Sequence, residues 1–219
     1  MSRFKAAIFD MDGLLIDSML YWLDLDRQIF DKYGYELTDD HVIRLTGGSD
    51  VENMIFLKEV FNLSPEHEQG IFDLRRNNVE VIYKDKCAPM PGANELLEKL
   101  HLAGIKKAVA TGAPSVYARR ILDRFDWHKY FDHLAAADHV GNVGKPNPAI
   151  FLHALEKLSL TPQECVVFED AQNGITAAKR AGMTCIAVPD KRWSFGDFSQ
   201  ADLVADSLND QSIINFLNL

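Results

Sequence analysis

The sequence predicts an α/β fold: a parallel sheet core with a block of helices inserted near its start. Three observations carry that prediction. Short continuous apolar runs end abruptly at polar or turn residues, as expected of strands buried on both faces. They are Lys107-Ala108-Val109-Ala110 before Thr111-Gly112, Cys165-Val166-Val167-Phe168 before Glu169-Asp170, Thr184-Cys185-Ile186-Ala187-Val188 before Pro189-Asp190, and a weaker Leu203-Val204-Ala205 before Asp206. Amphipathic helical stretches alternate with these runs, which implies parallel strands joined by right-handed crossovers. From about Asp17 to Lys86, by contrast, the periodicity is helical and no strand interrupts it.

In chain order, the first strand is Ala6-Ala7-Ile8-Phe9. Helical periodicity then covers Tyr21–Tyr33, Ser49–Phe61 and Pro65–Tyr83; Ser64-Pro65-Glu66 supplies a cap and a first-turn proline. The alternating pattern resumes near Pro89. Pro91-Gly92 opens a helix over Ala93–Leu102, with Gly104 placed as a C′ glycine. Thr161-Pro162-Gln163-Glu164 has the form of a capping box on a single turn, and Asn173–Ala181 closes at Gly182. These assignments divide the chain into a core of residues 1–16 and 88–219 and a helical unit of residues 17–87. The crossings between them fall near Asp17–Met19 and Lys86–Pro91.

The 219 residues carry 23 Lys and Arg against 32 Asp and Glu, a net charge of −9. Such a chain lacks the electrostatic footprint of a nucleic-acid or anionic-membrane binder. Cys87, Cys165 and Cys185 are widely spaced, which fits a reducing compartment better than a disulfide scaffold or a structural zinc site. The apolar run before Asp10 is shorter than the roughly 7–15 residues of a secretory signal core or the roughly 20 of a membrane span. A cytoplasmic location is expected, and a monomer is the default expectation.

The sharpest feature is Phe9-Asp10-Met11-Asp12-Gly13-Leu14-Leu15-Ile16-Asp17-Ser18. Two aspartates two apart, just past an apolar run, project from the carboxyl edge of a strand, where open α/β sheets bind ligands. Carboxylates this close repel unless a cation sits between them or one takes a proton. An Asp-x-Asp-Gly turn can also be purely structural. A calcium-loop reading fails, because the sixth and twelfth positions hold Leu15 and Tyr21 instead of glycine and glutamate.

This segment resembles the first motif of the haloacid dehalogenase superfamily of phosphohydrolases. Ala110-Thr111-Gly112, Gly144-Lys145-Pro146-Asn147-Pro148 and Phe168-Glu169-Asp170-Ala171-Gln172-Asn173-Gly174 resemble its three later motifs, in the family's order. Read alone, Thr-Gly is usually a turn, Lys145 a solvated surface lysine, and Glu169-Asp170 a helix cap; four such segments in order at strand ends outweigh those readings. The chain is most similar to the small-cap branch that includes β-phosphoglucomutase and pseudouridine 5′-phosphatase, with a Rossmann-like core.

The resemblance implies a Mg²⁺-dependent phosphatase for a small phosphorylated metabolite, a sugar phosphate or a nucleoside monophosphate, working through an aspartyl-phosphate. Asp10 is the implied nucleophile and Asp12 the general acid and base. The metal would be held by Asp10, Asp170 and the Asp12 backbone carbonyl, with Glu169 assisting. Thr111, the amides of Gly112 and Ala113, and Lys145 would face the phosphate. Residues 17–87 would form the cap that closes over the site.

A hexose-phosphate mutase is the alternative. The mutase grips a second phosphate with cap cations, and their apparent counterparts here are Thr46 and Asp50, which favours hydrolysis. A phospho-aspartate signalling receiver is a remoter alternative, at odds with a nucleophile on the first strand and an insert after it. The seven histidines have no HExxH or paired ligand spacing and read as surface or core residues. Trp193, Phe195 and Phe198 read as packing residues.

Overall fold

A computed structural model describes residues 2–219. Six parallel strands form one sheet: β1 (Ala6–Phe9), β2 (Lys106–Thr111), β3 (His133–Ala136), β4 (Cys165–Glu169), β5 (Thr184–Ala187) and β6 (Leu203–Val204). Their spatial order is β3-β2-β1-β4-β5-β6, which puts β1 between β2 and β4. Side chains alternate across the sheet as the strand period requires. Ala6 and Ile8 pack under α7 (Ala149–Leu158) and α8 (Gln172–Arg180). Ala7 and Phe9 pack under α5 (Ala93–Leu102), α6 (Ser115–Arg124) and α9 (Gln211–Leu217). Covering both faces explains why the strands read as unbroken apolar runs.

β3 is the strand the sequence reading lacks. His133-Leu134-Ala135-Ala136 has no β-branched residue and does not differ from a stretch of helix. Pairing decides it: Leu134 lies opposite Val109 and Ala135 opposite Ala110. Sheet propensity yields here to the neighbouring strand. The Thr161 capping box closes on one 3₁₀ turn, Pro162–Glu164, and the Glu164 carboxylate accepts the Thr161 N–H at 2.8 Å. Trp193 is buried and Phe198 packs on the α7 and α8 side, as expected, whereas Phe195 is exposed.

Between β1 and β2 lie α1 (Met19–Lys32), α2 (Asp39–Leu45), α3 (Asp50–Phe61) and α4 (Pro65–Val81), the last running into one π-helical turn, Ile82–Lys86. They surround their own apolar group, which includes Phe30, Leu57 and Ile71. The Ser64 hydroxyl caps α4 by accepting the His67 N–H at 3.2 Å. Where the chain leaves and re-enters the sheet, the two segments pair. Asp17 N–H donates to the Ala88 carbonyl at 2.8 Å, and Met90 N–H to the Leu15 carbonyl at 2.9 Å. Among the described residues no helix is long and apolar enough to cross a membrane.

Phe9 and Phe168 are register partners on β1 and β4, and their rings stack at 4.7 Å and 7°. They are the last residues before Asp10 and Glu169, so ring packing fixes the spacing of the two strand ends. Phe168→Ala should cost about 3–5 kcal/mol of unfolding free energy. Urea unfolding followed by circular dichroism checks this; a loss under about 1 kcal/mol, the size of a surface substitution, would show that the stack does not hold the strands.

Candidate active site

The carboxyl ends of β1, β2 and β4 converge. Asp10 follows β1, and its backbone N–H donates to the Phe168 carbonyl at 3.0 Å. Gly13 adopts φ +90°, and a Cβ there would overlap the Asp170 carboxylate and the Trp193 ring. Only glycine lets the chain turn this close to Asp170. Lys145 is 1% exposed, so it is not the solvated surface lysine that the residue suggests when read alone. Its Nζ donates to Asp10, to Glu169 Oε1 at 2.6 Å and to the Ala110 carbonyl at 3.1 Å, so all three protons are used. Glu169 Oε2 accepts the backbone N–H groups of Asp170 and Ala171 at 3.1 and 3.3 Å. Gly174 leaves room for that carboxylate: a Cβ there would overlap it.

Asp10, Glu169 and Asp170 each bring a carboxylate oxygen within 4.8 Å of the others, and all three are buried. Burial pushes Asp10 above the usual carboxylate range, with Lys145 opposing and Glu169 adding to the shift. Asp170 is raised well above that range too, first by burial and then by Asp10 and Glu169. Burial alone would lower Lys145, but its two carboxylate partners outweigh burial and hold it raised and charged. Asp170 Oδ2 is buried with no hydrogen-bond partner. Three carboxylates against one ammonium, with an orphaned oxygen among them, is a donor set suited to a hard divalent cation. Asp10 and Asp170 have oxygens to offer it, whereas Glu169 is largely occupied by Lys145 and two backbone amides.

The Asp12 side chain points away from that trio. Oδ1 accepts the Ser18 hydroxyl at 2.6 Å and Oδ2 the Tyr83 hydroxyl at 3.1 Å. Burial pushes its carboxyl up to about 6 despite both hydroxyl donors. Thr111 is buried, and its Oγ1 accepts the Ala113 N–H at 3.0 Å, so that amide is spent on the loop itself. Ser18 was within reach of sequence reasoning, since it ends the acidic segment. Tyr83 carries no local signal: 71 residues separate it from Asp12.

The helical insert closes the site. Its loop at Gly47-Gly48 presses on Gly112, where a Cβ would lie 2.6 Å from the Gly48 carbonyl oxygen. The Ser49 hydroxyl donates to the Asn142 carbonyl at 2.5 Å, Gly144 N–H to Glu52 at 2.7 Å, and Asn173 Nδ2 to the Thr46 carbonyl at 2.9 Å. Between insert and core lies a cavity lined by Asp10, Asp12, Thr111, Gly112, Ala113 and Asp170 from the core. Trp22, Asp26, Arg27, Asp50, Arg75 and Tyr83 line it from the insert. Lys145 and Glu169 sit behind this wall. Arg75, which the sequence reading missed, pairs with Asp26 at 3.0 Å and Asp50 at 3.5 Å and lies 5.6 Å from the Trp22 ring.

Comparison with known proteins agrees with this geometry. A family model for haloacid dehalogenase-like hydrolases matches residues 4–182. The phosphorylated carbohydrates phosphatase of Thermotoga maritima is 36% identical, the alignment covering 82% of each chain. The fructose-1-phosphate phosphatase YqaB of Escherichia coli is 31% identical over 85% of this chain and 97% of its own. The crystal structure of β-phosphoglucomutase from Clostridium difficile superposes with a TM-score of 0.79 at 27% identity, covering 98% of this chain and 97% of that one.

Two substitutions test the site's construction. Gly174→Ala forces the Glu169 carboxylate off Lys145 and should destabilise the fold by about 1–3 kcal/mol, measured by urea unfolding; an unchanged midpoint would mean that the carboxylate moves freely. Tyr83→Phe removes one donor from Asp12 and should slow turnover by about 10–100-fold, the equivalent of a hydrogen bond to a charged group. Steady-state kinetics that match the parent would detach Tyr83 from Asp12 function.

Proposed function

This chain belongs to the haloacid dehalogenase-like hydrolase family and is a phosphoric monoester hydrolase; from that premise we propose a Mg²⁺-dependent phosphatase that cleaves a small sugar phosphate through an aspartyl-phosphate on Asp10. The observation that carries the proposal is the buried Asp10–Lys145–Glu169 network beside Asp170, which lines the same cavity as Asp10 and has one carboxylate oxygen without a hydrogen-bond partner. The names of the curated relatives, phosphatases of phosphorylated carbohydrates and of fructose 1-phosphate, support a sugar phosphate.

In this reading Asp10 attacks phosphorus with one carboxylate oxygen while the bond to the ester oxygen breaks. The proton held on Asp12 goes to the departing alkoxide, releasing the alcohol. Asp12, now ionised, takes a proton from a water that attacks the aspartyl-phosphate; the acyl-phosphate P–O bond breaks, freeing inorganic phosphate and restoring Asp10. A carboxyl held near 6 by burial can be an acid in the first half and a base in the second. The Thr111 hydroxyl and the Gly112 amide would bind phosphoryl oxygens, and both residues line the cavity. Lys145 keeps Asp10 ionised and aimed. Mg²⁺ held by Asp10 and Asp170 would neutralise charge on the transferring phosphoryl group. Residues 17–87 act as the cap that excludes water during the first transfer.

Hydrolysis is favoured over mutase chemistry by the state of the insert's cations. Arg27 and Arg75, the arginines lining that side of the cavity, are each paired with carboxylates, Asp39 at 3.3 Å and Asp26 at 3.0 Å. Neither is free to grip a second phosphate. A receiver module is set aside by family membership.

A phosphate-release screen over hexose, pentose and polyol monophosphates and nucleoside monophosphates, with and without Mg²⁺, tests this. Asp10→Asn should reduce release to background and Asp12→Ala should lower it by about 10²–10⁴-fold. Chelation should abolish it and added Mg²⁺ restore it. Full activity in Asp10→Asn would refute the nucleophile.

A further inference from the structure

Three histidines that the sequence scatters over 21 positions meet at the edge of the sheet. His133 opens β3, His139 lies on the 3₁₀ turn Ala137–Val140 that follows it, and His153 comes from α7, which covers that strand. Each ring offers a nitrogen within 4.8 Å of the other two. Ring centroids are 5.4 Å apart for His133 and His153, 5.7 Å for His139 and His153, and 6.5 Å for His133 and His139. Three imidazoles sharing one tetrahedral ion, with metal–nitrogen bonds of about 2.0–2.1 Å, have centroids roughly 5 Å apart. The trio needs only a small contraction to reach that arrangement.

A second observation points the same way. His133 Nε2 is buried and has no hydrogen-bond partner. A buried polar nitrogen without a partner is costly, and in a native structure it calls for an unseen partner such as an ion or water. The protonation states suit a metal. Burial first, and then the neighbouring histidines and Lys157, hold His133 below the usual imidazole range; burial and Lys157 do the same for His153. Both shifts favour the neutral imidazole, the form that ligates metal. His139 Nδ1 accepts the Ala136 N–H at 3.3 Å, long enough that a metal bond through either ring nitrogen displaces it at small cost.

We propose that His133, His139 and His153 form a second metal site, separate from the acidic one, for a divalent transition ion of the zinc, nickel and copper group. Imidazole ligands favour these ions over Mg²⁺, which takes oxygen. The site would tie the edge strand β3 to α7 and to the turn whose chain continues, six residues on, into Lys145. Lys157 lies close to His133 and His153 and Arg119 close to His133, while Glu156 beside His153 partly offsets them. That positive surround weakens the affinity relative to structural zinc in fingers.

The test titrates Ni²⁺ into untagged protein by calorimetry, with Mg²⁺ in excess to occupy the acidic cluster. One Ni²⁺ per chain is expected. Affinity should fall at least about tenfold in His139→Gln and in His153→Gln, and stay unchanged in Asp170→Asn. Melting curves in chelator establish that the variants fold, and Ni²⁺ should raise the melting temperature of the parent but not of the histidine variants. A Co²⁺ spectrum of the unaltered protein gives a readout that needs no variant: an intense visible band marks a tetrahedral nitrogen site. No binding, affinity unaffected by both histidine changes, loss in Asp170→Asn alone, or only a weak octahedral Co²⁺ band would each overturn the site. None of these outcomes bears on the phosphatase reading, whose own test is Asp10→Asn.

Discussion

Everything at the sheet's carboxyl edge depends on charge balance without water. Asp10, Glu169 and Asp170 are buried beside a single ammonium, Lys145. Removing an ion from water costs several kcal/mol even after relaxation, and only well-formed partners offset it. Lys145 meets that demand for two of the carboxylates and anchors itself to the Ala110 carbonyl of β2. One ammonium therefore ties three strands together at the place where their side chains must be aimed. The remaining carboxylate is Asp170, whose Oδ2 is buried without a hydrogen-bond partner in a group suited to a metal ion.

That constraint explains features that would otherwise look unrelated. The central strands are rich in alanine and valine, so helices can cover both faces and keep water from the network. Phe9 and Phe168 stack just below the charged layer and hold β1 and β4 at a fixed spacing. Glycine stands at 13 and 174 because any side chain there would collide with Asp170 or Glu169. The insert contributes differently. Its charged residues in the cavity are mutually compensated, as in the Asp26–Arg75–Asp50 group, while its neutral Tyr83 hydroxyl reaches Asp12. The core holds the buried network around Lys145, and the insert holds the Asp12 carboxylate through hydroxyl hydrogen bonds.

How much of this was legible follows from how local each signal is. Asp10, Asp12, Glu169 and Asp170 stand immediately after apolar runs, so strand and charge announce one another in a few residues. That β1, β2, β4 and β5 run parallel in one sheet then follows from strand–helix alternation. Strand β3 was invisible because Leu134 flanked by alanine has no character until Val109 lies beside it. Lys145 read alone as a surface residue because burial is a property of the fold. Tyr83, Arg75 and the histidine trio act through contacts across tens of residues, and no window of sequence contains them. The helical insert was legible as helices, but the residues it presents to the cavity were not.

The net charge of −9 says nothing against a phosphorylated substrate, and the site explains why. A phosphate dianion approaching the buried carboxylates Asp10, Glu169 and Asp170, with Lys145 beside them, meets a repulsive field. A cation on Asp10 and Asp170 would reverse that field. Each of the two ligands would then relieve the charge that opposes the other, so their binding would be thermodynamically coupled, and the coupling reciprocal. An overall acidic surface is then compatible with an anionic substrate, because the sign of the field that matters is set by what occupies a few cubic ångströms at the end of β1.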